Sequence, residues 1–275
     1  MIHHLNVNAK EKVISLGAHV VYGNRREWCD ATWRPLELSV MRSRQFFYYD
    51  EPEKLPVIVF FCGGGWTNID HNVWTPELAW FAKRGYAVVS VYYSVTARTR
   101  FPMQIEDCKL AIRWLRAHAE QFALDTDRMV VMGESAGGYM AGLTALAGEQ
   151  RKYDVGEYLQ YSSAVRGAIC YYPGTDMRVF EDLDPSVAVV PPDIREYDPL
   201  PELVTPDSPP MMLLHGTRDS QVPLMQSELL YDALEKNGVR AELVVLNGAE
   251  HADAPFFQPE TKQMVLDFID ETLKV

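Results

Sequence analysis

The sequence predicts an α/β protein whose mostly parallel, eight-stranded sheet carries helices on both faces. Two observations predict this fold class. Strand and helix patterns alternate from residue 57 to the end of the chain, as parallel strands joined by helical crossovers require. Several of the strands are continuous apolar runs, such as residues 57–61, which is typical of strands covered on both faces.

The strand predictions rest on β-branched and aromatic residues and on apolar runs. Two opening strands are expected to be antiparallel, and residues 27–35 between them read as a loop or short helix. Residues 125–127 are predicted to form a turn before the fifth strand. The eight predicted strands are 13–22, 36–49, 57–61, 86–93, 129–132, 166–172, 211–215 and 240–246.

The helix predictions rest on apolar spacing of three and four residues and on terminal signals. Pro76 lies early in the first helix and Gly85 follows its end, while Gly238 closes the fourth. In the last helix, we expect one side to carry the apolar residues Met264, Phe268, Ile269 and Leu273. The predicted helices are 76–84, 103–122, 139–147, 224–237 and 255–273.

Residues 175–209 are dense in proline and aspartate and show weak periodicity. This segment is too long for an ordinary connection between two elements. We therefore expect one domain, residues 1–275, in which residues 175–209 form a cap or lid insertion that contains some helix and governs substrate choice.

The composition is acidic, with 38 aspartates and glutamates against 26 lysines and arginines and a net charge of −12. This charge argues against nucleic acid and anionic membranes as partners. The cysteines, at positions 29, 62, 108 and 170, show no metal-ligand spacing, and we expect them to be reduced and mostly buried. Because no apolar leader or membrane-spanning run is present, we expect a cytoplasmic protein. A homodimer is compatible with the sequence.

The central motif is Gly-x-Ser-x-Gly at residues 133–137, with Ser135 in the middle. An apolar strand precedes it and a helix rich in small residues follows, which is the context of a nucleophile elbow. The glycines are expected where a side chain would collide with a neighbouring strand or helix. The motif alone is common, and a glycine-rich turn with an incidental serine is the alternative.

Two further residues strengthen the interpretation of Ser135 as a nucleophile. A serine hydroxyl needs a base to take its proton, and the base needs an orienting acid. Asp219 and His251 each follow a predicted strand, so both should lie with Ser135 at the carboxyl edge of the sheet. Asp253 is a rival for the acid, although it would have to fold back on its own loop. Among the other histidines, His215 is expected to pack beside the site.

Three glycines, residues 63–65, follow the strand at 57–61. Their N–H groups have no side chains in the way, so Gly64 and Gly65, with Ala136 after the serine, are expected to donate to an oxyanion. A flexible turn is the alternative. A phosphate-binding loop is disfavoured because no lysine follows at the required spacing.

Together these motifs resemble the α/β-hydrolase fold, in the group of esterases and lipases that includes feruloyl-esterase-like (BD-FAE) and hormone-sensitive-lipase-like carboxylesterases. The resemblance implies Ser135 as nucleophile, Asp219 as acid and His251 as base, with no metal or cofactor. Cys62 departs from the group, which usually has a histidine before the glycines, and this puts the rigidity of that loop in doubt. The matching motifs are residues 63–66, 133–138, 215–219 with 222–223, and 250–251.

The sequence thus predicts a serine carboxylesterase that hydrolyses small acyl esters, including carbohydrate acetyl or aryl esters, through an acyl-enzyme. We expect Trp66, Tyr93 and Glu134 to contact the substrate. The alternatives are an amidase or peptidase of the same fold, such as a formamidase, and a non-catalytic binding protein on this scaffold.

Overall fold

The structure is a computed structural model, and it describes residues 1–8, 10–27, 32–44, 52–96, 98–148, 151–182 and 196–274. Within these residues the sheet has eight strands, in the spatial order β1-β2-β4-β3-β5-β6-β7-β8. The first two strands pair antiparallel with each other, and β2 pairs antiparallel with β4, whereas the remaining pairs are parallel. The predicted α/β-hydrolase fold is confirmed.

Each predicted strand is present, with differences at the ends. The strands are β1 Ile14–Arg26, β2 Trp33–Ser43, β3 Leu55–Phe61, β4 Ala87–Val91, β5 Leu124–Glu134, β6 Ala168–Tyr171, β7 Met211–Gly216 and β8 Ala241–Leu246. The predicted loop at 27–35 is wrong from Trp33 onward, because Trp33 pairs with Arg26 at the start of β2. Residues 45–49 of the second predicted strand lie outside the described residues.

The turn predicted at 125–127 is part of β5. Pro56 on β3 pairs with Asp125, but the next residue, Val57, pairs with Met129. The residues between are therefore extra on one strand and bulge out of the ladder. Asp125 supports the bulge by accepting a hydrogen bond from the N–H of Asp127 at 3.2 Å. The residues predicted to form a turn therefore form a bulge, and β5 continues on both sides of it.

The helices lie close to their predicted positions. They are α1 Thr75–Ala82, α2 Met103–Ala117, α3 Ala119–Phe122, α4 Ala136–Ala147, α5 Leu200–Leu203, α6 Met225–Lys236 and α7 Pro259–Leu273. The helix predicted at 103–122 breaks at His118, and the one predicted at 255–273 divides into a 3₁₀ helix, Ala254–Phe257, and α7. The second break has a local cause, because the residue before Pro259 is biased to the extended conformation it adopts here. Of the residues predicted to share one side of the last helix, Phe268, Ile269 and Leu273 are buried, whereas Met264 is exposed.

The sheet separates two apolar cores. Alternate residues of β3 enter opposite sides, with Val57 and Val59 in one core and Ile58 and Phe60 in the other. Helices α2, α4 and α6 cover the first core, and α1 and α7 cover the second. This is the two-sided burial that the apolar runs predict.

The predicted cap region is described only in part. A 3₁₀ helix, Met177–Asp182, and α5 lie in it, while residues 183–195 lie outside the described residues. Cys62, Cys108 and Cys170 are buried free thiols, as predicted, and Cys29 lies outside the described residues. In the part of the chain described here, none of the helices is long and apolar enough to cross a bilayer.

We predict that Gly137→Ala destabilises the fold by about 3 kcal/mol, because overpacking against backbone cannot be relieved by a side-chain rotation. A Cβ at this position would lie 2.6 Å from the carbonyl carbon of Phe61. Gly17→Ala is the control, since the nearest atom to its Cβ is Val40 O at 4.0 Å. Urea unfolding of the three proteins measures the effect, and equal midpoints for both variants would contradict it.

Candidate active site

The nucleophile elbow joins β5 to α4 at Ser135. The backbone of Ser135 has φ 54° and ψ −123°, a conformation that is strained for a residue with a side chain. Two contacts maintain it: the N–H of Ser135 donates to Tyr171 O at 2.9 Å, and Gly137 lies against Phe61 of β3 with no room for a Cβ. The elbow thus depends on its glycines, as the sequence predicts.

The structure brings Ser135, His251 and Asp219 into one hydrogen-bonded chain. Nε2 of His251 lies 2.9 Å from Ser135 Oγ, and Nδ1 lies 2.7 Å from Asp219 Oδ2. The His251 side chain is 7% exposed and that of Asp219 is fully buried. The imidazole can therefore take a proton from the hydroxyl while the carboxylate fixes its orientation.

Asp219 is held as an anion. Its Oδ1 accepts hydrogen bonds from the N–H groups of Gln221 and Val222, at 3.0 and 2.8 Å. Burial alone would raise the pKa of Asp219, but hydrogen bonds from His215 and His251 outweigh it and hold the pKa well below its ordinary value. The carboxylate consequently stays charged beside an imidazole that gains a proton.

Neither of the two rivals weighed in the sequence takes the place of Asp219 or His251. His215 is fully buried, and its ring nitrogens lie 2.7 Å from Ser227 Oγ and 2.8 Å from Val222 O. Its Nε2 also lies 3.4 Å from Asp219 Oδ2, so it packs beside the site as predicted. Asp253 caps the 3₁₀ helix that follows His251, accepting from the N–H of Ala254 at 2.7 Å. It is therefore engaged in its own loop rather than with the imidazole.

The glycine loop after β3 lies against the elbow in a conformation that favours glycine. Gly64 and Gly65 have φ values of 132° and 58°. A Cβ on Gly64 would lie 3.0 Å from the carbonyl carbon of Asn68, so only glycine fits. Ala136 is the first residue of α4, and an N–H at that position has no carbonyl acceptor within the helix. The loop contacts the elbow through Gly63, which donates to Glu134, and the three amides stay the predicted oxyanion donors.

Glu134, the residue before the serine, connects the elbow to the glycine loop. Its Oε1 accepts hydrogen bonds from the N–H of Gly63, from Nε1 of Trp74 at 3.0 Å and from Sγ of Cys62 at 3.7 Å. Burial raises the pKa of Glu134, and the hydrogen bonds from Gly63 and Trp74 oppose that shift in part. Tyr93 adds a fourth support, because its hydroxyl donates to Cys62 O at 2.7 Å. The loop is therefore held without the histidine that Cys62 replaces.

Two of the residues expected to contact substrate lie behind the site instead. Tyr93 is fully buried with its hydroxyl bonded to the backbone, so it offers no surface to a ligand. Glu134 is 6% exposed and is occupied by the loop contacts above. Trp66 is also buried and packs edge to face with Tyr139 and Tyr197, at 5.8 and 5.5 Å between ring centroids. The expectation fails for Tyr93 and Glu134, because their polar atoms bond to the glycine loop and a residue at a strand end can support a loop as readily as line a pocket. For Trp66 it stays a prediction.

Two partly exposed aromatic residues lie beside the elbow, where Trp74 donates to Glu134. Trp74 and Phe257 stack at 4.3 Å between centroids, joining the segment before α1 to the loop after His251. Their pairing has no signal in the sequence, because the two residues are far apart in the chain.

A serine, an aspartate and a histidine in this chain order, hydrogen-bonded at the carboxyl edge of such a sheet, define the α/β-hydrolase class. Within that class, the BD-FAE family model matches residues 47–234, and the chain belongs to this family.

The chain is similar to the probable carboxylic ester hydrolase LipM of Mycobacterium tuberculosis, with 29% identity over 217 residues, 74% of this chain and 48% of that protein. It is also similar to a solved structure of Thermogutta terrifontis esterase 2 phosphorylated by paraoxon, with 27% identity, a TM-score of 0.73, and coverage of 94% and 93%. A truncated carbohydrate esterase from gut microbiota shares the fold, with 20% identity, a TM-score of 0.80, and coverage of 97% and 99%. The chain spans about half the length of the curated relatives it matches.

We predict that Glu134→Ala lowers kcat about a hundredfold with a KM change of less than about threefold, because the amides of the glycine loop lose their support. Glu134→Gln is the matched variant, since its amide oxygen keeps an acceptor for Gly63, and we expect it to retain most of the activity. Steady-state kinetics with p-nitrophenyl acetate measure both. Equal losses in the two variants would show that the charge of Glu134, rather than its acceptor oxygen, is what matters.

We predict that Cys62 resists alkylation in the folded protein. Burial, together with the negative charge of Glu134, raises the pKa of this thiol far above its ordinary value, so little thiolate forms near pH 8. Iodoacetamide treatment followed by peptide mass spectrometry should leave Cys62 unmodified before denaturation and modified after it. Rapid alkylation of the folded chain would overturn this account of the loop.

Proposed function

We propose that this chain is a serine carboxylesterase that hydrolyses small acyl esters through an acyl-enzyme. The observation that carries the proposal is the hydrogen-bonded chain from Ser135 Oγ through His251 to Asp219. Family membership supports it, as does the similarity to proteins named as esterases. The similarity to an esterase phosphorylated by paraoxon adds support for a nucleophile of this kind.

The reaction begins when Ser135 Oγ attacks the acyl carbon and His251 Nε2 takes the hydroxyl proton. Asp219 stabilises the imidazolium that forms. The carbonyl oxygen becomes an oxyanion, for which Gly64, Gly65 and Ala136 are the proposed N–H donors. Removing one such donor typically costs about 3 kcal/mol of transition-state stabilisation.

The intermediate collapses when the carbon–oxygen bond to the alcohol breaks. His251 gives its proton to the leaving oxygen, and the acyl group remains on Ser135. Water then attacks the acyl-enzyme as His251 takes one of its protons. Return of that proton to Ser135 Oγ releases the carboxylic acid and restores the enzyme.

We propose small acyl groups on carbohydrate or aryl alcohols as the substrate class. The stacked Trp74 and Phe257 support it, because partly exposed rings beside the elbow give a flat apolar wall for such a group. We also propose that the segment 175–209 borders the substrate. Its Tyr197 packs against Trp66 at the end of the glycine loop, which supports this placement. A cytoplasmic location, a homodimer and the lack of nucleic-acid or membrane partners stay predictions from the sequence.

We predict that Ser135→Ala lowers kcat for p-nitrophenyl acetate by at least about 10⁴-fold, because no other group replaces the nucleophile. Asp219→Asn should cause a loss of similar order, since the imidazole loses its anionic partner. Ser162→Ala, on an exposed serine remote in sequence from all three residues, is the control and should retain full activity. A fully active Ser135→Ala enzyme would overturn the proposal.

Parallel rates on p-nitrophenyl acetate and p-nitroacetanilide separate an esterase from an amidase of the same fold. We expect the ester to be cleaved at least about a hundredfold faster in kcat/KM, a difference of about 2.7 kcal/mol in transition-state free energy. Faster cleavage of the anilide would assign the site to amide hydrolysis.

A further inference from the structure

Tyr172, the residue directly after β6, is a feature of the site that the chemistry above does not use. We propose that Tyr172 is a positioning residue that holds the imidazole of His251 in line with Ser135 through its aromatic ring. The proposal rests on the function proposed above, because it assigns a task within that site. Three observations on Tyr172 carry it: its contacts, its backbone and its hydroxyl.

The Tyr172 ring packs directly against the imidazole. The two ring centroids are 4.6 Å apart and the planes meet at 61°. The Tyr172 ring also packs against Phe256, with 4.6 Å between the ring centroids. Phe256 belongs to the 3₁₀ helix that follows His251. The ring thus contacts both the base and the loop segment that carries it. Edge-to-face packing of this kind limits rotation of the imidazole. Where the face of the tyrosine ring meets the imidazole, it also stabilises the positively charged imidazolium that forms during the reaction.

The backbone of Tyr172 is held in a conformation that a bulky residue rarely adopts, with φ 36°. Its N–H donates to Leu214 O at 2.7 Å, which ties the residue to β7. Its preceding neighbour, Tyr171, accepts the hydrogen bond from the N–H of Ser135. The strained turn therefore links the serine backbone to the ring that contacts the histidine. Strain of this kind persists only where the surroundings fix it, and it concentrates at functional sites.

The hydroxyl of Tyr172 does not explain why a tyrosine is placed there. The side chain is fully buried, and its oxygen has no hydrogen-bond partner among the described residues. Burial, with the negative charges of Glu134 and Asp219 nearby, raises the pKa of Tyr172 well above its ordinary value, so the group stays neutral. A buried hydroxyl without a partner carries a desolvation cost. The contribution of Tyr172 must then come from its ring, and phenylalanine should replace it.

The test compares Tyr172→Phe, which keeps the ring, with Tyr172→Leu, which removes it. On p-nitrophenyl acetate we expect the Phe variant to keep kcat within about twofold. We expect the Leu variant to lose about tenfold to a hundredfold in kcat with KM nearly unchanged, as misplacement of a catalytic group by about 1 Å does. Phe268→Leu is the matched control, because it removes a buried ring from the same apolar core without touching His251. It should keep kcat within about twofold at a similar loss in melting temperature.

If Tyr172→Leu does not fold, a second variant, Phe256→Leu, still tests the proposal. Phe256→Leu leaves the strained position intact and loosens the packing of the Tyr172 ring, so it should lower kcat by a smaller factor. Proton NMR gives an independent readout, since the far-downfield signal of a histidine N–H bound to a carboxylate should persist in Tyr172→Phe and broaden in Tyr172→Leu.

Two results would overturn the proposal. One is a Tyr172→Leu enzyme no slower than Phe268→Leu, which would leave only a structural role. The other is a Tyr172→Phe enzyme as slow as Tyr172→Leu, which would assign the effect to the hydroxyl. Neither affects the proposed function, which has separate tests: ester hydrolysis by the wild-type chain, its loss in Ser135→Ala, and the comparison of ester with anilide.

Discussion

The backbone of Ser135 is the constraint on which the rest of the site depends. At φ 54° and ψ −123°, the residue turns the chain sharply between β5 and α4, and its hydroxyl reaches the imidazole of His251. The turn requires Gly137 to approach Phe61 more closely than any side chain permits. Because that contact is with β3, the strand whose end carries the glycine loop, the same packing that makes the elbow also sets the position of the amides beside it.

Glu134 extends this connection from packing to hydrogen bonding. It precedes the nucleophile, yet its carboxylate oxygen faces the neighbouring loop and accepts from Gly63, Trp74 and Cys62. A buried carboxylate is costly unless it is hydrogen-bonded, so these groups and Glu134 stabilise one another. The acceptor that holds the glycine loop therefore comes from the elbow itself.

Much of the fold was predictable because the signals are local. Apolar runs predict buried strands. Ser135, Asp219 and His251 each follow the end of a parallel strand, which places the three residues at one edge before any distance is known. The misses arise where tertiary contacts override a local pattern. The turn chemistry at Asp125 is absorbed into β5 as a bulge, because β3 pairs on both sides of it.

The roles of side chains within the site were less predictable than their location. Tyr93 and Glu134 were placed at the correct edge of the sheet, but their orientation toward the glycine loop depends on partners far away in sequence. Tyr172 carried no motif at all, and only its contact with His251 reveals it. Strand ends can thus be assigned from sequence. Tertiary packing decides which side chains face the substrate and which support a loop, and the sequence does not show this.

The central claim is that Ser135 is a nucleophile activated by His251. Incubation with paraoxon followed by peptide mass spectrometry tests it most directly, because the reagent modifies an activated serine covalently and does not depend on knowing the substrate. The account predicts one diethylphosphoryl group, on the peptide that contains Ser135, and none after His251→Ala. An unmodified Ser135 in the wild-type chain, or modification at another residue, would contradict it.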